Sequence, residues 1–119
     1  MNEIRFKVLK KWCLDILKGL DYLHSLKPHP IVHRDLKCDN LFINSHKGDI
    51  MIGDFGFASI LSGKMTSSIR GTPAYMAPEI LDDQYDASID IYSFGMCVLQ
   101  MSTHLPPYYE CKRNPYQIV

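Results

Sequence analysis

The sequence predicts a mainly α fold that carries a small β-hairpin, on three observations. From Arg5 to about Ser25, the residues Leu9, Trp12, Cys13, Ile16, Leu20 and Leu23 recur at steps of three and four, with charged residues between them. That spacing is the stripe of an amphipathic helix. From Ser88 to Thr103 the chain is apolar nearly all round, through Ile89, Ile91, Tyr92, Phe94, Met96, Cys97, Val98, Leu99 and Met101. This suits a second helix, buried at a domain centre. Between the two, Leu41-Phe42-Ile43 and Ile50-Met51-Ile52 flank a polar stretch containing Gly48, and read as the strands of a hairpin.

The punctuation between these elements follows from Gly and Pro. Gly19 weakens the first helix without ending it, whereas Pro28 and Pro30 end it, because neither can donate and each biases its predecessor out of the helical region. Ile31 to Asn40 mixes a few apolar residues with a dense cluster of His, Arg, Lys and Asp. From Gly53 to Pro78 the chain reads as a loop, with Gly53, Gly56, Gly63, Gly71 and a run of Ser and Thr. A loop of that length inside a compact domain is usually functional. A short helix is predicted over Ala77 to Leu81, with Pro78 in its first turn. Leu105-Pro106-Pro107 stops the long apolar helix, and Asn114 to Val119 resembles the opening of another.

Composition narrows the classes of function. The 119 residues hold 13 basic and 13 acidic side chains, 46% hydrophobic and 22% charged residues. This is a globular composition, with no electrostatic footprint for nucleic acid or a membrane surface. Cys13, Cys38, Cys97 and Cys111 are scattered without a C-x-x-C pair, which favours reduced thiols over a disulfide or zinc framework. Met1 to Lys7 lacks the apolar region of a signal peptide, and Ile89 to Met101, interrupted by Asp90 and Gln100, is too short to span a bilayer. A cytoplasmic protein without nucleic-acid or membrane partners is expected.

The chemistry concentrates in His33-Arg34-Asp35-Leu36-Lys37-Cys38-Asp39-Asn40, then Asp54-Phe55-Gly56, then Ala77-Pro78-Glu79. Each piece alone is a weak signal. The three in this order, with a hairpin between the first two and a Gly/Ser/Thr loop before the third, resemble the signature set of a protein kinase. The resemblance implies the C-terminal lobe of the protein-kinase-like α+β fold, ATP and Mg2+ as cofactors, and protein substrates. Phosphoryl transfer needs positioned groups and neutralised charge. Asp35 then matches the catalytic base, Asn40 and Asp54 the metal ligands, and Lys37 the cation beside the transferred group. In the same resemblance His33 and Phe55 join the apolar spine of the lobe, and Gly56 completes the second motif. Asp90 would pair with backbone donors of the His33–Arg34 turn; the plainer alternative is a helix-start aspartate favouring the dipole. Arg34 implies pairing with a phosphate on the activation loop, where Thr66, Ser67 and Ser68 are the candidate acceptors. Lys37 with Gly71-Thr72-Pro73 resembles serine/threonine rather than tyrosine kinases, and Thr72 would bond both the base and the lysine.

Text outside these motifs is similar to the with-no-lysine (WNK) kinases. It includes Arg5 to Cys13, Ile16 to Leu20, the double-proline approach to Ile31-Val32-His33, Asp90 to Leu99, Glu110-Cys111 and Gln117-Ile118. Within that family Ser68 matches the activating autophosphorylation serine, while Lys64 stands where a second serine is usual. Phe55 and Phe57 replace the leucines that line the family's chloride pocket, so chloride sensing is not carried over.

Residues 1–119 are thus expected to form a partial protein kinase domain, from the first long helix of the C-lobe through its central buried helix. The N-lobe, with its glycine-rich loop and nucleotide-gripping lysine, and the last C-lobe helices are expected to be absent. The arginine partner of Glu79 would lie beyond Val119, and the apolar helix would lose neighbours, inviting self-association or association with a related kinase. Two functions are expected to compete: a serine/threonine kinase, or a catalytically incompetent fragment acting as a binding or regulatory module. The isolated chain is expected to be inactive. Cys38 reads as a filler rather than a redox thiol, because no second cysteine is near it in sequence.

Overall fold

A computed structural model describes residues 2–44, 46–60, 71–82 and 85–108. Helix α1 spans Glu3–His24. It begins two residues before Arg5, the start that the sequence predicts, because Asn2 caps it, the side-chain Oδ1 accepting from the Arg5 N–H at 2.8 Å. The Ser25 N–H closes the last turn on the Asp21 carbonyl at 2.9 Å, ahead of Pro28. Only Ile16, Leu20 and Leu23 of the stripe are buried, while Ile4 and Phe6 remain in solvent.

Strand β1 (Ile31–Val32) pairs antiparallel with β4 (Ser59–Ile60), Val32 opposite Ser59. Nothing in the sequence points to this pairing, since two residues are too few for a period and β4 lies within the stretch that reads as loop. Strands β2 (Leu41–Ile43) and β3 (Ile50–Ile52) form the antiparallel hairpin, with Leu41 opposite Ile52 and Ile43 opposite Ile50. Ile50 faces the core; the cross-strand pair Phe42 and Met51 faces out. Helix α1 lies so close to β3 that a Cβ on Gly19 would sit 2.9 Å from the Ile52 Cδ1. Single 3₁₀ turns cover Cys38–Asn40, Pro73–Tyr75 and Pro78–Leu81, the last standing where a short helix is predicted.

Helix α2 spans Ser88–Thr103. His104 ends it in the left-handed region (φ 59°), its N–H returning to the Gln100 carbonyl, so the stop falls one residue ahead of the Leu-Pro-Pro run. All-round burial is not what forms. Ile89, Asp90, Ser93 and Cys97 are buried, whereas Ile91 and Leu99 are about half exposed, at 47% and 48%. The elements that pack on α2, namely α1 and the turns Cys38–Asn40 and Pro73–Tyr75, cover one side of it.

Two apolar clusters hold these pieces together. One joins Ile16, Leu20, Leu36, Ile50, Tyr75 and Cys97, and the other Val32, Ala77, Ile80, Tyr85 and Ile89. Each fully buried aliphatic side chain contributes roughly 1.5–3 kcal/mol. Val32 and Leu36, both fully buried, bracket the segment 33–35 and fix it to both clusters. No helix among the described residues is long and apolar enough to cross a membrane.

Candidate active site

The segment 33–40 takes its shape from one buried carboxylate. Asp90, in the first turn of α2 and fully buried, accepts from the His33 N–H at 2.8 Å and the Arg34 N–H at 3.0 Å. His24 on α1 adds a third bond, its Nε2 standing 2.8 Å from the Asp90 Oδ2. A buried carboxylate is tolerable only when its oxygens are satisfied in this way, so a helix-start role alone does not account for it. The bonds hold Arg34 at φ 71°, a left-handed conformation costing a non-glycine residue on the order of 1–3 kcal/mol.

His33 and Arg34 spread outward from that anchor. The His33 Nδ1 accepts from the Asp35 N–H at 3.2 Å, so its Nε2 carries the proton and donates to the Gly53 carbonyl at 2.8 Å. Its ring stands 5.2 Å from that of Phe55, tilted by 58°. Arg34 donates from Nε to the Phe57 carbonyl at 2.6 Å and reaches the Tyr85 hydroxyl at 3.5 Å.

Three segments meet at Asp35. The buried Asn40 donates through Nδ2 to the Asp35 carbonyl at 2.7 Å, with the Asp35 Oδ2 more distant at 3.5 Å. The Thr72 hydroxyl donates to the Asp35 Oδ1 at 2.8 Å and accepts from the Lys37 Nζ at 2.9 Å. Thr72 reaches this position because Gly71 adopts φ 128° and passes the Arg34 carbonyl where a Cβ would lie only 2.6 Å away. Asp35, Lys37, Asn40 and Thr72 therefore form one hydrogen-bonded cluster.

Asp54 joins the cluster through the backbone. The Gly53 N–H donates to the Asn40 carbonyl at 2.8 Å, and Asp54 follows, exposed and left-handed at φ 52°. Its Oδ1 accepts from the Gly56 N–H at 3.3 Å. Among the described residues the Asn40 Oδ1, whose amide nitrogen is turned to Asp35, and the Asp54 Oδ2 are thus left for a hard cation. Among the described residues no three His, Cys, Asp or Glu converge on a metal position, so phosphate and water oxygens would complete the shell. The donor set fits magnesium held jointly with a nucleotide.

Around the cluster, Glu79 is half-buried near Tyr92, whose phenol is pushed up to about 12 by its hydrogen bond with Tyr108, by burial and by the Glu79 charge. Tyr75 bonds Gln100 through its hydroxyl, and burial pushes that phenol well up. The Cys97 thiol holds that of Cys38 below the ordinary value by hydrogen bonding, and the same bond with burial drives Cys97 up. Ser68, with Thr66, Ser67 and Lys64, lies outside the described residues, as do Cys111 and the stretch 114–119.

Sequence reasoning passes over His24, Ser93 and the carbonyls of Gly53 and Phe57. Ser93 donates to the Tyr75 carbonyl at 2.6 Å and so ties α2 to the turn beyond Thr72. His24 had a signal: it lies four residues beyond Leu20 on the buried stripe, where a polar residue implies a buried partner. The carbonyls carry none, because every residue has one.

With the geometry in hand, comparison with known proteins is specific. The family model of the protein kinase domain matches residues 2–118. The chain is 53% identical over 111 residues to the probable serine/threonine-protein kinase WNK6 of Oryza sativa subsp. japonica, covering 93% of this chain and 25% of that protein. It is 51% identical over 117 residues to the serine/threonine-protein kinase WNK of Caenorhabditis elegans, covering 98% of this chain and 6% of the relative. To the serine/threonine-protein kinase WNK3 of Mus musculus it is 52% identical over 112 residues, 94% of this chain and 6% of the relative. The chain spans a quarter or less of the length of these curated relatives.

Proposed function

The chain belongs to the protein kinase family, and from that premise we propose that it supplies the catalytic loop of a WNK-like serine/threonine kinase. The reaction moves the γ-phosphate of ATP to a serine or threonine hydroxyl of a protein. The observation that carries this reading is the relay in which Lys37 donates to the Thr72 hydroxyl and Thr72 donates to one oxygen of the Asp35 carboxyl. With Oδ1 occupied by Thr72, the Asp35 Oδ2 faces, among the described residues, a distant Asn40 nitrogen and can take the substrate hydroxyl proton. Lys37 places a cation beside the group in transfer, and the Asn40 Oδ1 and Asp54 would hold magnesium. Bound magnesium would neutralise the nucleotide phosphates. Arg34 would receive a phosphate on Ser68, within a C-lobe of which residues 1–119 form the larger part. The protein would act in the cytoplasm on protein substrates. Phe55, packed on His33, together with Phe57 would leave the kinase insensitive to chloride.

The test replaces the matching segment of a full-length WNK relative by residues 2–118 and follows magnesium-dependent phosphorylation of a Ser/Thr peptide. Turnover is expected, with Asp35→Asn lowering kcat by about 10²–10⁴-fold; equal turnover in that variant overturns the reading. A second reading, a binding or regulatory module that self-associates or docks on a related kinase, is favoured by the exposed apolar side chains Ile91 and Leu99 of α2. An inactive chimera, with the chain still binding the relative's kinase domain, would select it.

A further inference from the structure

Cys38 and Cys97 are 59 positions apart in sequence and in contact in space. Cys38 stands on the 3₁₀ turn that ends at Asn40, and Cys97 lies in the middle of α2. The Cys38 Sγ donates to the Cys97 carbonyl at 3.8 Å, which brings the two residues side by side. Both pack in the cluster of Ile16, Leu36 and Tyr75. Their exposures differ: Cys97 is fully buried, while Cys38 retains a partly open position. Cys13, the other described thiol, lies on α1 outside this cluster. An inert core cysteine has neither a reachable surface nor a second sulfur behind it. Here the spatial neighbour removes the ground for reading Cys38 as filler.

We propose that Cys38 and Cys97 form a redox modification site, at which hydrogen peroxide oxidises Cys38 and Cys97 resolves it as an intramolecular disulfide. The Cys38 sulfur attacks one peroxide oxygen and breaks the O–O bond, giving a sulfenic acid and one water. The Cys97 sulfur then attacks the Cys38 sulfur; the S–O bond breaks and the hydroxyl leaves with the Cys97 proton as a second water. Two thiols lose two protons and two electrons, and one peroxide takes them up to become two waters. The Cys38 sulfur already lies against the Cys97 backbone, so the bond would join side chains of residues that are packed together. The bond would tether the turn bearing Asn40 to the helix bearing Asp90. The site stands on the two thiols alone, independent of whether the chain transfers phosphate.

The purified chain is treated with graded hydrogen peroxide, blocked with iodoacetamide and digested without reductant by trypsin and chymotrypsin, which cleave between Cys97 and Cys111 at Tyr108 or Tyr109. Mass spectrometry is expected to find the Cys38 and Cys97 peptides joined, two hydrogens lighter than their sum, and separated by reductant. The link should dominate at doses that leave Cys13 alkylated. In Cys97→Ser, dimedone should trap a sulfenic acid on Cys38; in Cys38→Ser, Cys97 should stay unoxidised at the same dose. Alkylated Cys38 at doses that oxidise Cys13, or Cys38 linked chiefly to Cys13, to Cys111 or to another chain, overturns the proposal. The wild-type map needs no variant to fold.

Discussion

Asp90 takes bonds from two backbone N–H groups and one imidazole, so neutralising it weakens three contacts at a buried point. An asparagine there keeps one acceptor and turns an N–H₂ toward a donor, and Asp90→Asn should cost roughly 3 kcal/mol. Urea unfolding measures this, and a loss below about 1 kcal/mol contradicts the anchoring role. His24→Ala, which removes one bond and leaves the two backbone donors paired, should cost less than half as much. Gly71→Ala tests a steric demand instead. Its Cβ would meet the Arg34 carbonyl, a backbone atom unable to swing aside, at a φ that alanine rarely adopts, so roughly 2 kcal/mol or more should be lost. The readable residue was Asp90, because a carboxylate inside an apolar helix asks for partners. His24 was less readable, since a histidine in a last helical turn is equally a solvated dipole partner.

At the level of elements, α1 is clamped to the hairpin by one lysine. Lys11 bonds Asp15 at 2.9 Å, Asp49 at 2.6 Å and the Gly48 carbonyl at 3.3 Å, while Asp15 also accepts from the Ile50 N–H at 3.1 Å. The Lys11 hydrogen bond holds the Asp15 carboxyl below its ordinary 3.8, and Asp49 with Asp15 raises Lys11 above 10.5. A depressed carboxyl stabilises the fold above its unfolded value and stops doing so as pH falls through the folded one. A raised ammonium does so below 10.5 and stops as pH rises through its folded value. The clamp is therefore complete across neutral pH. Asp15→Asn should unfold at lower temperature than wild type at neutral pH, and the two melting curves should converge as pH drops well below 3.8. A gap independent of pH would assign the effect to the Ile50 bond instead. Among elements, long periodic ones were legible: α2 begins and ends where its apolar run does. The start of α1 was not, because Asn2 sets it through a cap lying outside the stripe. Strands β1 and β4 were not, because Ile31 is set opposite Ile60 and Val32 opposite Ser59 by the packing of Val32 and by the Arg34 bond to Phe57, neither of which is local in sequence.

Over the whole molecule, buried and exposed stripes of α2 run opposite each other. Ile89, Ser93 and Cys97 face the two clusters, and Ile91, Gly95 and Leu99 face out. The composition signalled a helix apolar on every side but could not say which side the rest of the chain covers, since that depends on how α1 and the turns dock. The outward stripe combines two branched side chains with a glycine that lets a neighbour approach. It adds to exposed Phe42 and Met51 on the hairpin and Ile4 and Phe6 on α1. A net charge of zero provides no repulsion to keep copies apart. Apolar patches of this kind drive association. The chain should therefore self-associate reversibly, its weight-average sedimentation coefficient rising from low to high micromolar concentration and falling back on dilution. Leu99→Glu places a charge at the outward stripe without touching the Ser93–Tyr75 bond or the Asp90 anchor, so it should flatten that rise while leaving the circular dichroism of the monomer unchanged. A Leu99→Glu chain that associates like wild type would move the contact to the hairpin face, where Met51→Glu is the corresponding variant. Sedimentation independent of concentration in the wild type would mean that these side chains do not drive association.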